Sequence, residues 1–355
     1  MITIITGGTG SIRLLRGLNS IIKEEVNIIV NVGDNINLFG VYICPDIDTT
    51  LYGLSNKLDI KRGWGIKDDT FNFLESRRGI SEESWFQIGD KDLATHVRRT
   101  NLMKNGLNLT EVTNILSKEF GIKHKIIPAS NDRIETTIIT DNREMHLQEF
   151  WVKNKGKPEI SDVIYNGIDN AKPAQNVIKS IEEADKIIIS PGNPISSIGP
   201  TICIKQIRDA LQRTNTKKIV ISPIMNNKPI SGPAGRMMKA KGYEVSVMGV
   251  AEYYRDVMTD IVIDRIDKES ISEIEKIGKV IGLLEESPAQ YLDNQKQSGL
   301  EEASLTPEAI EGLIAERAAA RKDKNFQRAD KIRDQLSDQG IILKDSPIGT
   351  TWTVK

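Results

Sequence analysis

The sequence predicts an α/β protein with a doubly wound, mainly parallel, Rossmann-like sheet, inserted elements and a small C-terminal helical tail. Three observations support this fold class. Short apolar, β-branched runs recur along the chain, helical stretches lie between them, and a glycine-rich loop follows the first run. Such runs are typical of strands buried on both faces, and their alternation with helices is typical of a parallel sheet.

The individual elements follow the same pattern. Helices are predicted between the apolar runs, for example over residues 11–22 and 176–184, and the turn at 141–144 predicts an inserted hairpin. Five apolar runs are predicted as strands of the main sheet: 2–6, 26–32, 186–190, 218–222 and 260–264.

The character of the chain changes towards its end. We therefore predict a main domain over 1–284, a polar linker over 285–303 and a tail over 304–355. In the tail, Thr306 is placed to cap a first helix and Gly340 to end a second. A small hairpin is expected after Gly340.

Composition excludes several classes of protein. The 355 residues carry a formal net charge of −1, so no global attraction to nucleic acid or anionic membrane follows. Two cysteines, Cys44 and Cys203, argue against a disulfide framework and a structural zinc site. The first residues resemble neither a signal peptide nor a membrane anchor, and no apolar run is long enough to span a bilayer. The expected location is the cytoplasm.

The first strand leads into a glycine loop, Gly7, Gly8, Thr9 and Gly10, that opens the first helix. Glycines allow backbone N–H groups to approach a phosphate, and the positive end of the helix dipole favours it. The loop departs from the strict dinucleotide fingerprint because Arg13 stands at the third glycine position. Glycine- and proline-containing loops at 190–200 and 222–238 also follow strands, which together predict a diphosphate-sized ligand at one sheet edge.

Three aspartates, Asp34, Asp46 and Asp48, lie within fifteen residues of one another just after the second strand. They are candidates for a magnesium site, since this cation prefers oxygen ligands. Alternatively, Asp34 contacts a ribose hydroxyl, as in nicotinamide-dependent oxidoreductases, or the aspartates simply cap turns and helices. Charged residues of the segment 88–100, taken alone, are expected to form surface ion pairs: Asp90, Lys91, Asp92, His96, Arg98 and Arg99.

Several segments together resemble the 2-phospho-L-lactate transferase family, in order and over about residues 1–278. They are the glycine loop, NVGD (31–34), CPDIDT (44–49), RGWGIKDDTF (62–71), GDKDLATH (89–96), GNPISSIGP (192–200) and GVAEYY (249–254). The resemblance implies transfer of a phospholactyl, phosphoenolpyruvyl or phosphoglyceryl group from a guanosine diphosphate donor to the deazaflavin FO. GMP is released, in biosynthesis of coenzyme F-420. It also implies a magnesium requirement and a homodimer.

The resemblance assigns roles to individual residues. Asp48 matches the catalytic, FO-contacting aspartate and, with Asp34, the expected magnesium ligands, whereas Asp46 is expected to cap a helix or lie behind them. Lys91 matches a basic position at the acceptor site. The donor is expected to bind to two loops: Gly7, Gly8, Thr9 and Gly10, and Gly192, Asn193 and Pro194. The chain departs from the frequent family residues at Ser11, Asn35 and Gly192.

The tail resembles a different family. Residues 281–352 are similar to the C-terminal end of bacterial cysteinyl-tRNA synthetases, whose nucleotide motifs and zinc ligands are not in this sequence. The chain therefore resembles a fusion. A tRNA-binding role for the tail is an alternative function, but residues 308–334 carry seven basic and six acidic side chains. Because this balance gives little attraction to phosphates, tRNA binding by the tail is not expected.

Overall fold

The computed structural model describes residues 1–78, 85–141, 143–276, 279–280, 306–323, 325–346 and 349–354. The chain divides into two compact units, residues 1–283 and 284–355. The predicted linker, 285–303, lies outside the described residues. Among the helices described, none is both long and apolar enough to cross a membrane.

The strands of the described residues fall into one large sheet and several small ones. In chain order they are β1 (Ile2–Thr6), β2 (Asn27–Val30), β3 (Ile36–Leu38), β4 (Val41–Ile43), β5 (Lys125–Pro128), β6 (Glu135–Ile139), β7 (Glu144–His146), β8 (Asp162–Asn166), β9 (Lys186–Ile189), β10 (Lys217–Ile221), β11 (Ile224–Met225), β12 (Lys228–Pro229), β13 (Asp260–Val262), β14 (Lys279–Val280), β15 (Ile341–Ser346) and β16 (Gly349–Val354).

The large sheet confirms the predicted fold class. Its seven strands run in the order β14-β13-β10-β9-β1-β2-β5, and every described pair is parallel. All five predicted strands belong to it. The interior strands are nearly continuous in Ile and Val and buried on both faces, as parallel strands covered by helices must be. The edge strands β5 and β14 were not predicted.

Helices cover the sheet. They are α1 (Gly8–Ile21), α2 (Pro45–Leu54), α3 (Asn72–Arg77), α4 (Asp90–Lys104), α5 (Leu109–Glu119), α6 (Val177–Glu182), α7 (Gly199–Ile202), α8 (Lys205–Arg213), α9 (Ala234–Ala240), α10 (Val247–Tyr254), α11 (Ile271–Ile274), α12 (Pro307–Lys322) and α13 (Phe326–Asp338). A Cβ atom on Gly53 would lie 2.2 Å from Cδ1 of Ile12. Glycine therefore allows the last turn of α2 to pack closely on α1.

The insertion after β5 is a three-stranded antiparallel sheet in the order β7-β6-β8. The predicted hairpin is confirmed, with β6 and β7 paired so that Thr137 opposes His146. One end of β6 lies against the main sheet, where the Thr136 N–H donates to the Gly33 carbonyl at 2.7 Å. This insertion therefore borders the loop that carries Asp34.

The second unit has its own small core. Its helices α12 and α13 and the hairpin β15–β16 enclose one apolar cluster: Ile310, Ile314, Ile332, Leu336, Ile341 and Trp352. Thr306 caps α12, as predicted, by accepting from the Ala309 N–H at 3.3 Å. Gly340 follows α13 with a φ of +78°, which favours glycine.

Candidate active site

The predicted glycine loop is the N-terminus of α1. Gly7 is extended, and Gly8 has a φ of +73°, a conformation that other L-residues rarely adopt. The N-cap residue, Gly7, has no side chain to cap the helix, while the Gly8 N–H bonds to the Asp46 carboxylate. The next backbone N–H groups of the helix and the positive end of its dipole are therefore suited to an anion.

The second predicted donor loop packs directly on the first. A Cβ on Gly7 would lie 2.1 Å from the Ser197 carbonyl oxygen, and one on Gly192 would lie 2.7 Å from the Gly7 carbonyl oxygen. Asn193 accepts from the Ile195 N–H at 3.0 Å and so caps the π-helical turn Pro194–Ile198. The two loops thus form one surface, and glycine is required where they meet.

Asn31 connects these loops to the aspartates. Its amide nitrogen lies 2.9 Å from Oδ2 of Asp46 and 3.2 Å from the Ser196 carbonyl oxygen. Its side-chain oxygen accepts from the Gly33 N–H at 2.9 Å. Sequence reasoning gave Asn31 no role. Its only signal was its place at the carboxyl end of a buried strand, where α/β proteins bind ligands.

Asp34 and Asp46 are neighbouring buried carboxylates, 7% and 6% exposed. Burial, and next the charge of Asp46, raise the pKa of Asp34 well above its ordinary value. Burial raises the pKa of Asp46 to about 6, against hydrogen bonds from Asn31 and the Gly8 backbone. Among the described residues, no ion pair is formed by either carboxylate. A buried pair of acidic groups of this kind favours a bound cation or a proton.

Asp48 has a different environment. Its carboxylate is 4% exposed and forms a two-pronged ion pair with Arg99, with Nη2 on Oδ1 and Nη1 3.2 Å from Oδ2. The Cys44 N–H also donates to Oδ2 at 3.2 Å. The structure thus gives Asp48 a positive partner that Asp34 and Asp46 lack among the described residues.

The expectation that the segment 88–100 forms only surface ion pairs is wrong for one face of α4. Asp92, His96 and Arg99 are buried, at spacings of four and three that place them on one side of the helix. Within the described part of the chain, Arg98 is the residue of this segment that forms a surface ion pair, with Glu119 at 2.8 Å. The spacing is visible in the sequence. Helical periodicity, however, indicates a buried face only when the repeated residues are apolar, and this buried face is polar.

Lys91 lines a cavity of about 420 Å³. Its ammonium donates to the Asp68 carbonyl oxygen. Across the cavity the ammonium of Lys57 lies 4.7 Å from the centre of the Phe120 ring. The other lining residues are Ile66, Lys67 and Thr95. This volume, with one aromatic ring and several cations, suits a flat, polar ligand.

The acidic residues fit magnesium. Among the described residues, no group of three or more His, Cys, Asp or Glu side chains could hold a metal by protein ligands alone. Magnesium, however, is usually held by one or two carboxylates together with substrate phosphates. Asp34, with Asp46 beside it, meets this requirement next to the glycine loop. The assignment of the metal to Asp34 and Asp48 stays a prediction.

Comparisons with known proteins match the two parts of the chain to two families. The family model described as 2-phospho-L-lactate transferase CofD matches residues 2–303, and one described as cysteinyl-tRNA ligase anticodon binding domain matches 304–352. A 2-phospho-L-lactate transferase of Methanosarcina mazei is 41% identical over 276 residues, covering 78% of this chain and 90% of the relative. One of Methanocaldococcus jannaschii is 41% identical over 279 residues, covering 77% and 89%.

Solved structures support the fold. A Bacillus halodurans protein described as a member of the UPF0052 family is 19% identical to this chain, with a TM-score of 0.51, covering 82% of this chain and 88% of that one. At this identity the likeness concerns the fold alone. The family match covers most of the residues, and it includes both glycine loops and all three aspartates. The chain therefore belongs to the 2-phospho-L-lactate transferase family.

Proposed function

We propose that the protein transfers a phospholactyl, phosphoenolpyruvyl or phosphoglyceryl group from a guanosine diphosphate donor to FO, releasing GMP, in coenzyme F-420 biosynthesis. One observation carries this proposal: the uncapped start of α1 meets the loop 190–200 and the buried carboxylates at a single edge of the sheet. Membership of the transferase family makes phosphoryl transfer the reaction that this arrangement supports best.

The donor is held by the two glycine loops. Backbone N–H groups of Thr9 and Gly10 neutralise phosphate charge, and the close contact of Gly7 with Gly192 keeps the two loops at a fixed distance. Phosphoryl transfer depends mainly on such positioning and charge neutralisation. Asp34 and Asp48 are the residues that we propose to hold magnesium, with Asp46 next to Asp34. When bound, magnesium neutralises charge on the diphosphate.

The acceptor is held between Asp48 and Lys91. We place the deazaflavin ring in the cavity lined by Lys91, Lys57 and Phe120. Asp48 accepts a hydrogen bond from the ribityl hydroxyl and orients its oxygen towards the distal phosphorus. A new P–O bond forms there, the bond to the bridging oxygen breaks, GMP leaves with the electron pair, and the hydroxyl proton passes to the surrounding base or water.

Neither alternative function gains support. The nicotinamide-dependent alternative requires the dinucleotide fingerprint, but Arg13 stands at its third glycine position, and the family match is to a transferase. Weak or no tRNA binding by the tail stays a prediction from its balanced charge. We further propose the cytoplasm as the site of the reaction and a homodimer as the assembly, on the family resemblance.

Incubation of the full chain with FO, magnesium and a panel of lactyl, enolpyruvyl and glyceryl guanosine diphosphates tests the proposal. Mass spectrometry should detect one FO phosphodiester together with GMP. Folded protein that forms no such product with any of the three donors would show the proposal to be wrong.

A further inference from the structure

Arg99 is completely buried, with 0% of its side chain exposed, and is among the largest fully buried side chains of the described residues. Its guanidinium contacts both carboxylate oxygens of Asp48. The same group lies 3.3 Å from the Tyr42 carbonyl oxygen and 3.1 Å from Nδ1 of His96. With no exposed surface, Arg99 cannot touch a substrate itself.

His96 links Asp48 to the helix that carries Lys91. Its Nδ1 lies 3.4 Å from Oδ2 of Asp48, and its Nε2 lies 3.2 Å from Oδ1 of Asp92. Asp92 follows Lys91 in α4 and also accepts from the Tyr52 hydroxyl at 2.6 Å. Asp48 and Tyr52 lie on α2, so α2 and α4 are joined twice through buried polar groups.

A buried ion pair is weak evidence for a contribution to stability. Replacing a buried ion pair by apolar residues is often neutral or stabilising, because desolvation of both charges opposes their attraction. The pair instead fixes the orientation of the Asp48 carboxylate. A planar guanidinium bonded to both oxygens of a carboxylate leaves that carboxylate one orientation, with lone pairs still free for another partner.

We propose that Arg99 is the positioning residue of Asp48: it fixes the orientation of this carboxylate towards the acceptor hydroxyl without touching substrate. The inference rests on the proposed function, in which Asp48 contacts FO. Because Arg99 lies on α4, its two bonds to Asp48 also hold this carboxylate in register with the helix that carries Lys91.

The test compares full-chain variants in the FO assay, with FO binding followed by its fluorescence. Arg99→Lys keeps the charge but loses the planar fork, and we expect kcat to fall roughly ten-fold to a hundred-fold while the donor KM is unchanged. Arg98→Lys, at the exposed neighbouring position, is the matched control and should keep wild-type kcat. A merely structural role would change the melting temperature but not kcat of the folded fraction.

A second comparison does not depend on Arg99→Lys folding. Asp48→Asn is compared with Asp48→Asn/Arg99→Gln, in which the guanidinium that loses its carboxylate partner is also removed, so that the double variant has no lone buried charge. Because Arg99 acts only through Asp48, the double variant should turn over as fast as Asp48→Asn. A clearly slower double variant, or an Arg99→Lys enzyme with wild-type kcat, overturns the positioning role while product formation by the wild type upholds the proposed function. A wild type that neither binds FO nor forms product overturns both.

Discussion

Two carboxylates of α2 stand two residues apart and have opposite environments. Asp46 bonds to Asn31 beside the glycine loop, whereas Asp48 bonds to Arg99 of α4. Two positions of an α-helix differ by roughly 200° around its axis, so the two side chains must point to opposite sides. In the proposed reaction, the same short motif supplies Asp46 beside the glycine loop and Asp48 to the acceptor and to magnesium.

The first prediction concerns Asp48. Asp48→Asn keeps the size of the side chain and removes its charge, so the acceptor hydroxyl loses its fixed partner. We expect kcat to fall roughly a hundred-fold, the scale for losing one preorganised electrostatic group. Steady-state kinetics on folded protein measures this. Asp209→Asn removes a surface carboxylate paired with Lys205 and is the control that should keep full activity. Near-normal turnover of Asp48→Asn would contradict the assigned role.

Individual residues could be predicted only where the local sequence limits their function. Gly7, Gly8 and Gly10 were found because a glycine-rich turn after a strand has few other uses. The partner of Asp48 was not found, since Arg99 lies 51 positions further along the chain and no local pattern connects them. Asn31 was overlooked for the same reason: Ser196, which it contacts, is 165 positions away.

At the scale of elements, two glycines of α1 can be compared: Gly7 at its N-cap and Gly17 in its interior. A Cβ on Gly7 would collide with the Ser197 carbonyl oxygen, whereas one on Gly17 would meet nothing within 4 Å. Gly7→Ala should separate the two donor loops and raise the donor KM roughly ten-fold to a hundred-fold. Steady-state kinetics at varied donor concentration checks this prediction.

Gly17→Ala serves as the control for that change. Alanine in a helix interior is more favourable than glycine by roughly 0.5–1 kcal/mol, so this variant should melt slightly higher and keep its donor KM. An equal rise in the donor KM of both variants would mean that donor binding responds to any change in α1. The contact between the two loops would then not explain the effect.

A second prediction at this scale uses His124, which joins α1 to the start of β2. Its Nε2 lies 3.0 Å from Oδ1 of Asn19, and its Nδ1 lies 3.4 Å from the Val26 N–H nitrogen. Burial lowers the pKa of His124, helped by Lys123 and opposed by Glu25. Below the ordinary histidine pKa of about 6.5, this histidine is therefore protonated in the unfolded chain more readily than in the folded chain. The free energy of unfolding falls as the pH falls.

His124→Gln should remove part of this pH dependence. The slope due to one such histidine is at most about 1.4 kcal/mol per pH unit. Melting curves from about pH 7.5 down to 5.5 compare the variant with the wild type. The slope that remains belongs in part to His146, whose pKa burial also lowers. An unchanged slope in His124→Gln would show that the imidazole is not the titrating group.

The elements themselves were largely predictable. Interior strands of a parallel sheet need unbroken apolar runs, and these runs are visible in the sequence. The strands β5 and β14 were missed because a short edge strand is defined by the neighbour with which it pairs. The order β14-β13-β10-β9-β1-β2-β5 also depends on contacts distant in the chain, which composition and periodicity do not contain.

At the scale of the whole molecule, the chain contains separate cores. The main cluster includes residues from Ile4 to Ile274, and the tail cluster includes residues from Ile310 to Trp352. All predicted site residues belong to the first unit, residues 1–283. This division predicts that the tail is dispensable for chemistry.

Truncation after Gln297 measures this directly. Residues 1–297 should keep their turnover, and their main melting transition should lie within a few degrees of the same transition in the full chain. Melting curves and the FO assay on both proteins are sufficient. Loss of activity in a shortened protein that remains folded would mean that the tail takes part in the reaction.

The central claim is that the edge of the sheet formed by the two glycine loops and the three aspartates transfers a three-carbon phosphoryl group to FO. The most direct measurement quantifies FO phosphodiester and GMP by mass spectrometry in one reaction, with and without magnesium. Equal amounts of both products, formed only with magnesium, are the predicted result. Release of GMP without phosphodiester, or equal product formation after magnesium is removed, would contradict the account.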